Sequence, residues 1–278
     1  MNPITQSIRA IRIGKSIVIY AFLWGFALFI LSPLAVILVS AFGEGWFGAR
    51  WLPQNWTLRW FEWAFQMTDL VQVTINSMII AALTIIISLL IGIPTAWAIG
   101  KRKIRAKELL IALILLPRMI PELTYALGTA KIFYTIDLIN THFGVALAHS
   151  TITIPYVVLI MSSTFEALDQ RVIDAGGVCG ANWIQRFLYL ILPMSMPGIM
   201  AAVIFAFVTS FNEFTLSMMT YGPQTVTLPI QTYLSIGDGY KEIASAVSFV
   251  LLIPSILILG VIVKQIKPEN LNGGVKGL

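Results

Sequence analysis

Residues 174–193 read DAGGVCGANWIQRFLYLILP. This polar, glycine-rich stretch lies between two long apolar runs and ends in Leu-Pro as the second run begins. The chain around it, 278 residues in all, is 58% hydrophobic and only 11% charged, whereas soluble domains average about 25% charged residues. The sequence therefore predicts an integral membrane protein in which this stretch interrupts the spanning segments.

Six apolar runs are long enough to cross a bilayer, which takes about 20 residues. They cover residues 17–42, 71–100, 108–135, 144–165, 188–217 and 243–264. Because the runs are continuous, they favour helices over the short alternating segments of a membrane barrel. We expect an all-α protein with six transmembrane helices. Residues 1–70 would hold the N-terminal tail, first helix and an outer segment, 71–264 a five-helix core, and 265–278 a tail.

Basic residues concentrate on one side of these spans, and such residues favour the cytoplasmic side. That side carries Arg9, Arg12, Lys15, Lys101, Arg102, Lys103, Arg105, Lys107, Arg171, Arg186, Lys264, Lys267 and Lys276. The opposite side carries Arg50, Arg59, Lys131 and Lys241. Both termini and residues 174–193 are therefore expected in the cytoplasm. The net charge of +5 is explained by this distribution and indicates no nucleic-acid partner.

The outer segment, residues 43–70, contains Trp46, Trp51, Trp56, Trp60 and Trp63. Tryptophan prefers the membrane–water interface, which predicts an aromatic belt, with a docking face for an external partner as the alternative. Residues 57–65, TLRWFEWAF, predict a short surface helix with Thr57 as its N-cap.

Local signals in the opening stretch predict a bent knob rather than a simple connection. A short helix within 165–180 is expected to end at Gly180, because glycine favours the left-handed conformation of a C-terminal cap. Asn182 is expected to cap a second short helix, and Pro193 to bend the chain into the fifth span. The single Cys179 cannot form an internal disulfide and is interpreted as a small buried residue.

Charged residues within spans usually face a cavity or the bundle interior. Arg118 and Glu122 lie four residues apart in LLPRMIPEL and are expected to pair on one helix face. Pro117 and Pro121 in the same run free backbone carbonyls, which indicates either packing kinks or a path with a cavity. Glu213 has no basic residue nearby in its span and is the better candidate for lining a solute path, together with Asn212 and Ser210.

Enzyme signatures are missing from the sequence. Gly14-Lys15-Ser16 resembles the end of a phosphate-binding loop, but Arg9 occupies the place of the required first glycine. There is no zinc-binding HExxH motif and no GxSxG nucleophile elbow, and His142 and His149 are expected near the outer side without clustered partners. We expect a transport protein that holds no metal or cofactor of its own.

The opening stretch resembles the cytoplasmic motif of inner-membrane permeases of binding-protein-dependent ABC importers. That motif is Glu-Ala-Ala, three residues, Gly, nine residues, Ile, any residue, Leu-Pro. Here Asp174, Ala175 and Gly176 are followed by Gly180 and by Leu190 to Pro193 with the spacing intact. Asp replaces Glu, Gly replaces Ala and Leu replaces Ile. Segments along about residues 57–264 are similar to the spermidine/putrescine permease branch.

The resemblance implies a type I importer permease fold and an ATP-driven mechanism. A coupling helix between the fourth and fifth spans would dock on a cytoplasmic ATPase dimer, which would bind ATP and magnesium. The motif stretch supplies the candidate coupling residues Asp174, Ala175, Gly176, Gly180, Asn182, Arg186 and Pro193. Further partners would be membrane lipid, a second and distinct permease chain, and a periplasmic or extracellular solute-binding protein. The implied location is the bacterial inner membrane.

The polyamine branch indicates a polycationic cargo. Glu122 and Glu213 would suit such a cargo, and Tyr125, Phe211 and Phe214 offer cation–π contacts. Ferric iron and aminoethylphosphonate stay open as cargo. A proton- or ion-coupled secondary transporter, with Glu213 as its ion site, is the alternative function. It leaves the motif unexplained and shows no convincing inverted repeat. An intramembrane enzyme lacks its catalytic cluster, and broken helices and an unpaired Glu213 argue against a scaffold.

Overall fold

A computed structural model describes residues 3–45, 50, 52–102 and 104–265. Trp46, Trp51 and Lys103 lie outside the described residues, as does the tail beyond 265, including Lys267 and Lys276. Within the described part, the chain forms α-helices, one π-helical turn and a two-residue hairpin. The all-α expectation is confirmed.

The elements follow one another with short connections. The helices are α1 (Pro3–Phe42), α2 (Arg59–Met67), α3 (Leu70–Lys101), α4 (Lys107–Met119), α5 (Glu122–Thr135), α6 (His142–Ala167), α7 (Gln170–Val178), α8 (Trp183–Arg186), α9 (Leu192–Phe211), α10 (Thr215–Thr220), α11 (Leu228–Gly237) and α12 (Lys241–Gln265). In the described part, five segments are long and apolar enough to span a membrane, and the bent pair α4–α5 makes a sixth.

The core is built by α3, α6 and α9, which pack along much of their length. Close approach depends on small residues, as is usual between membrane helices. A Cβ added at Gly198 of α9 would lie 2.1 Å from Thr164 Oγ1 of α6, so only glycine fits there. The first helix, by contrast, is exposed along its spanning part and packs mainly against α12.

The third predicted span is broken rather than kinked. Helix α4 ends at Met119 and α5 begins at Glu122, with a bend of 93° between them. Ile120 is extended, with φ −81° and ψ 141°, because the ring of Pro121 disfavours a helical conformation in the residue before it. The helix is therefore interrupted at Ile120 and Pro121, near the middle of the predicted span.

The fifth span differs from its prediction at both ends. It begins earlier, because α8 runs into a π-helical turn, Phe187–Ile191, and then into α9. The predicted bend at Pro193 is wrong: Pro193 lies inside one continuous span, Trp183–Phe211, directly after the π-helical turn. The helix also ends at Phe211 rather than at 217, so that Glu213 lies in a break before α10.

The outer segment confirms a short surface helix, α2, but this helix begins at Arg59 with Leu58 as its N-cap residue. Thr57 Oγ1 nevertheless accepts the Arg59 N–H at 3.0 Å. A short antiparallel hairpin pairs Gly43 with Trp56 ahead of this helix. The Trp60 indole donates to the Gly43 carbonyl at 2.9 Å, which fixes the segment against the end of α1.

Candidate functional site

A polar cavity of about 350 Å³ lies at the α4–α5 break. Its walls include Arg118, Glu122 and Tyr125, three of the residues predicted to line a solute path, together with Tyr156 of α6. Tyr156 was missed by sequence reasoning, because it lies 34 positions from Glu122 in an apolar run and only the fold brings it to the break. The break therefore gathers charged and aromatic side chains around one space.

The expected ion pair between Arg118 and Glu122 is wrong. The two residues belong to different helices separated by the bend, so the spacing that places i and i+4 on one face no longer applies. The Arg118 guanidinium instead donates to the Tyr156 hydroxyl at 2.6 Å and lies 4.9 Å from the centre of that ring. This arrangement holds the positive charge against α6 and leaves the Glu122 carboxylate without it.

Glu213 lies in the break between α9 and α10 and is only 7% exposed. Its carboxylate accepts the Leu216 N–H at 2.8 Å, which fixes the side chain at the start of α10. The neighbouring titratable group is Glu122, whose carboxyl interacts with that of Glu213. Two carboxylates in contact repel each other unless a proton or a cation is shared between them.

The other predicted path residues occupy different surroundings. Ser210 and Phe211 are buried, with Phe211 stacked on Phe207 at 5.0 Å between ring centres. Asn212 is exposed, and its amide donates to the Val208 carbonyl at 2.9 Å. Ser210 and Phe211 therefore pack the end of α9, next to the α9–α10 break that contains Glu213.

His149 of α6 contacts both helices that flank the α9–α10 break. It is 1% exposed on α6, and its Nδ1 lies 2.9 Å from Ser210 Oγ while its Nε2 lies 2.9 Å from Ser217 Oγ. Ser210 Oγ also lies 3.2 Å from Thr84 Oγ1 of α3. A neutral imidazole has one donor and one acceptor, which matches two hydroxyls. His149 therefore links Ser210 of α9 to Ser217 of α10, on either side of Glu213.

His142 also has a partner, because its Nε2 lies 2.9 Å from Asn76 Oδ1. The amide nitrogen of Asn76 donates to the carbonyls of Gln224 and Val226, each at 3.1 Å. These contacts hold the loop before α11 to α3. No signal in the sequence pairs residues so far apart.

A second feature is the knob, which comprises α7, the turn at 179–182, α8 and the π-helical turn Phe187–Ile191. Its turn follows the pattern of a Schellman cap. The Ala181 N–H donates to the Gly176 carbonyl and the Gly180 N–H to the Gly177 carbonyl, each at 3.0 Å, and Gly180 has φ +84°. Asn182 then caps α8 in a reciprocal capping box with Gln185. Both predicted caps are confirmed, although the first helix is the separate α7.

Close packing between α7 and the following turn explains Gly176. A Cβ there would lie 2.6 Å from Leu190 Cδ1, so that any larger residue would require the Leu190 side chain to move. The side chain of Arg186 lies over Gly176 and Gly177. Its buried Nε has no hydrogen-bond partner among the described residues. The Asp174 carboxylate accepts from Gln170 at 3.0 Å on the exposed side of α7.

The knob exposes apolar side chains. Val178 is 90% exposed and Tyr189 75% exposed, and Ile184 is also exposed. Cys179 is exposed, so the interpretation of it as buried is wrong: the sharp turn points it outward. Ala175 and Pro193 are exposed as well. At the base, hydrogen bonding to Arg171 lowers the pKa of Asp169, which caps α7 by accepting the Arg171 N–H at 2.9 Å.

Comparison with known proteins agrees with these features. Residues 76–269 match the family described as binding-protein-dependent transport system inner membrane component. The chain belongs to this family. It is therefore a multi-pass membrane protein and a transport subunit, and its fold is that of an ABC importer permease.

Proteins similar to this chain are named for the transport of different solutes. The spermidine/putrescine transport system permease protein PotC of Escherichia coli K12 is 25% identical over 270 residues, covering 96% of this chain and 99% of PotC. The sulfoquinovosyl glycerol permease SmoH of Agrobacterium fabrum is 25% identical over 230 residues, covering 82% and 81%. A crystal structure of a bacterial ABC transporter that imports the polysaccharide alginate matches with TM-score 0.75 at 18% identity, covering 93% of this chain and 98% of that chain.

Proposed function

We propose that this chain forms half of the membrane path of an ATP-driven importer in a bacterial inner membrane, with both termini in the cytoplasm. The basic loops and the knob fall on one predicted side, as the positive-inside rule requires for the cytoplasm. A second, distinct permease chain would complete the path. An external binding protein would deliver the solute, and a cytoplasmic ATPase dimer would bind magnesium and ATP and hydrolyse the ATP.

The knob is the proposed contact with the ATPase. Val178, Ile184 and Tyr189 expose apolar surface on a segment that would otherwise face water, and exposed apolar patches on a polar side mark docking surfaces. The Schellman turn and the capping box fix the shape of the knob without help from a partner. A rigid knob of this kind transmits the motion of the ATPase into α9, because α8 continues into that helix.

The proposed cargo is a small polycation of the polyamine type. The observation that carries this proposal is that the Glu122 and Glu213 carboxyls are neighbours, while the Arg118 guanidinium donates to the Tyr156 hydroxyl. An ammonium group placed between two carboxylates relieves their repulsion. Tyr125, which lines the cavity together with Glu122, adds an aromatic ring for cation–π contact.

Uptake measurements test this proposal. Proteoliposomes holding the assembled importer, supplied with binding protein and ATP, should take up labelled spermidine or putrescine. Glu213→Gln should reduce this uptake at least tenfold, because one carboxylate is lost from the pair. Glu108→Gln is the matched control: Glu108 is exposed at the opposite end of α4 from the α4–α5 break, and its replacement should leave uptake unchanged.

Two results would contradict the polycation proposal. One is equal uptake by Glu213→Gln and the unchanged protein, which would make Glu213 a purely structural cap for α10. The other is saturating uptake of a neutral sugar or an anion with no uptake of polyamine. Uptake that continues without ATP would instead support the secondary transporter.

A further inference from the structure

An apolar groove of about 430 Å³ lies between the cytoplasmic end of α3 and the start of the fifth span. Ile93, Pro94 and Trp97 line one wall, and Trp183 and Phe187 line the other. Trp97 is fixed by edge contacts with Phe165 and Trp183, with ring centres 5.1 and 5.6 Å apart. The groove is therefore a formed surface with two indoles at its mouth.

Arg102 is the charged residue in the lining of this groove. Arg102 is exposed at the C-terminal end of α3, which is the end of the spanning segment Leu70–Lys101. Within the described chain, neither Arg102 nor Arg105 forms an ion pair. The neighbouring lysines are already engaged: Lys101 donates to the Leu168 carbonyl at 2.7 Å, and Lys107 pairs with Glu166. The positive charge of Arg102 is thus available to an outside ligand.

We propose that this groove binds an anionic phospholipid, with an acyl chain against Trp97 and Phe187 and the phosphate on the Arg102 guanidinium. Charge and shape both favour this occupant. The groove is apolar along its length and cationic only where the span ends, which is the level of the lipid headgroups. Tryptophan prefers that level, and basic pockets between helices on the cytoplasmic side bind anionic headgroups.

The bound lipid would stabilise the position of the knob relative to α3. Arg102 and Trp97 belong to α3, whereas Trp183 is the first residue of α8 in the knob. A lipid that fills the space between them holds the base of the knob against the core helix. The site is independent of the cargo and of the ATPase, so its test does not depend on the proposed function.

Native mass spectrometry of the full-length chain in mild detergent tests this site. The protein is offered equal amounts of phosphatidylglycerol and phosphatidylcholine with identical acyl chains. We expect a retained phosphatidylglycerol adduct and a clear preference over phosphatidylcholine. Arg102→Gln should reduce that preference about fivefold, the effect of one basic residue near an anionic surface.

The matched control is Arg105→Gln, which removes the same charge from the same loop outside the groove lining. It should keep the preference for phosphatidylglycerol. An equal loss in both variants would overturn the proposal and reduce the effect to the overall charge of the loop. Equal retention of the two lipids by the unchanged protein would overturn it as well, leaving only an apolar crevice.

Discussion

Replacing Gly180 tests how the knob works. Gly180 has φ +84°, and an added Cβ would meet no atom within 4 Å. The cost of Gly180→Ala within this chain is therefore backbone strain alone, about 1–2 kcal/mol for a residue with a Cβ in the left-handed region. That cost disfavours the formed turn about 5- to 30-fold. Asparagine tolerates this region better than alanine although it is larger.

The assay is the number of ATP molecules hydrolysed for each solute imported by proteoliposomes. If the turn itself transmits motion, coupling should decline in the order Gly180, Gly180→Asn, Gly180→Ala. Assembly with the ATPase serves as the control and should persist, since the side chains of the knob are unchanged. Worse coupling for asparagine than for alanine would refute the reasoning, because side-chain size against a partner would then matter more than backbone conformation.

Two further substitutions test the packing around the sites. His149→Leu removes two buried hydrogen bonds at similar volume, which should cost about 1–2 kcal/mol of folding free energy and lower the rate of uptake. Thr153→Val, which removes only a bond within α6, is the control. Equal loss of uptake in the two variants would show that the bonds from His149 to Ser210 and Ser217 are not needed for transport. Gly176→Phe should destabilise the knob, because a large side chain there would overlap both Leu190 and the Arg186 side chain, and faster proteolysis of residues 174–193 would measure this. The double variant with Leu190→Ala should recover in part, and a failure to recover would show that the clash with Leu190 is not the cause.

The parts of the fold that sequence reasoning predicted depend on local chemistry. Long apolar runs predict the membrane-spanning helices directly, because the bilayer requires every backbone polar group to be hydrogen-bonded within the segment. Gly180 and Asn182 predict the two helix caps of the knob, because a left-handed C-cap and a capping box each need particular residues at a fixed spacing. Neither signal depends on the rest of the chain.

The parts that were missed depend on contacts between distant residues. Two short interruptions, before Pro121 and after Phe211, place Glu122 at the start of a new helix and Glu213 between two helices. Once the helix is broken, spacing along the sequence no longer says which side chains meet. Glu122 therefore neighbours Glu213, and Arg118 bonds to Tyr156. The bonds of His149 to both serines join residues more than 60 positions apart, and no local pattern encodes them.

The central claim is that the knob contacts an ATPase, and Cys179 allows a direct test. It is the only cysteine in the chain and is exposed beside Gly180. A maleimide carrying a photoreactive benzophenone can be attached to it in inside-out membrane vesicles, illuminated, and the product identified by mass spectrometry. The account predicts labelling from the cytoplasmic side and a cross-link to a subunit with a nucleotide-binding loop. Labelling only from the outside, or cross-links to lipid alone, would contradict it.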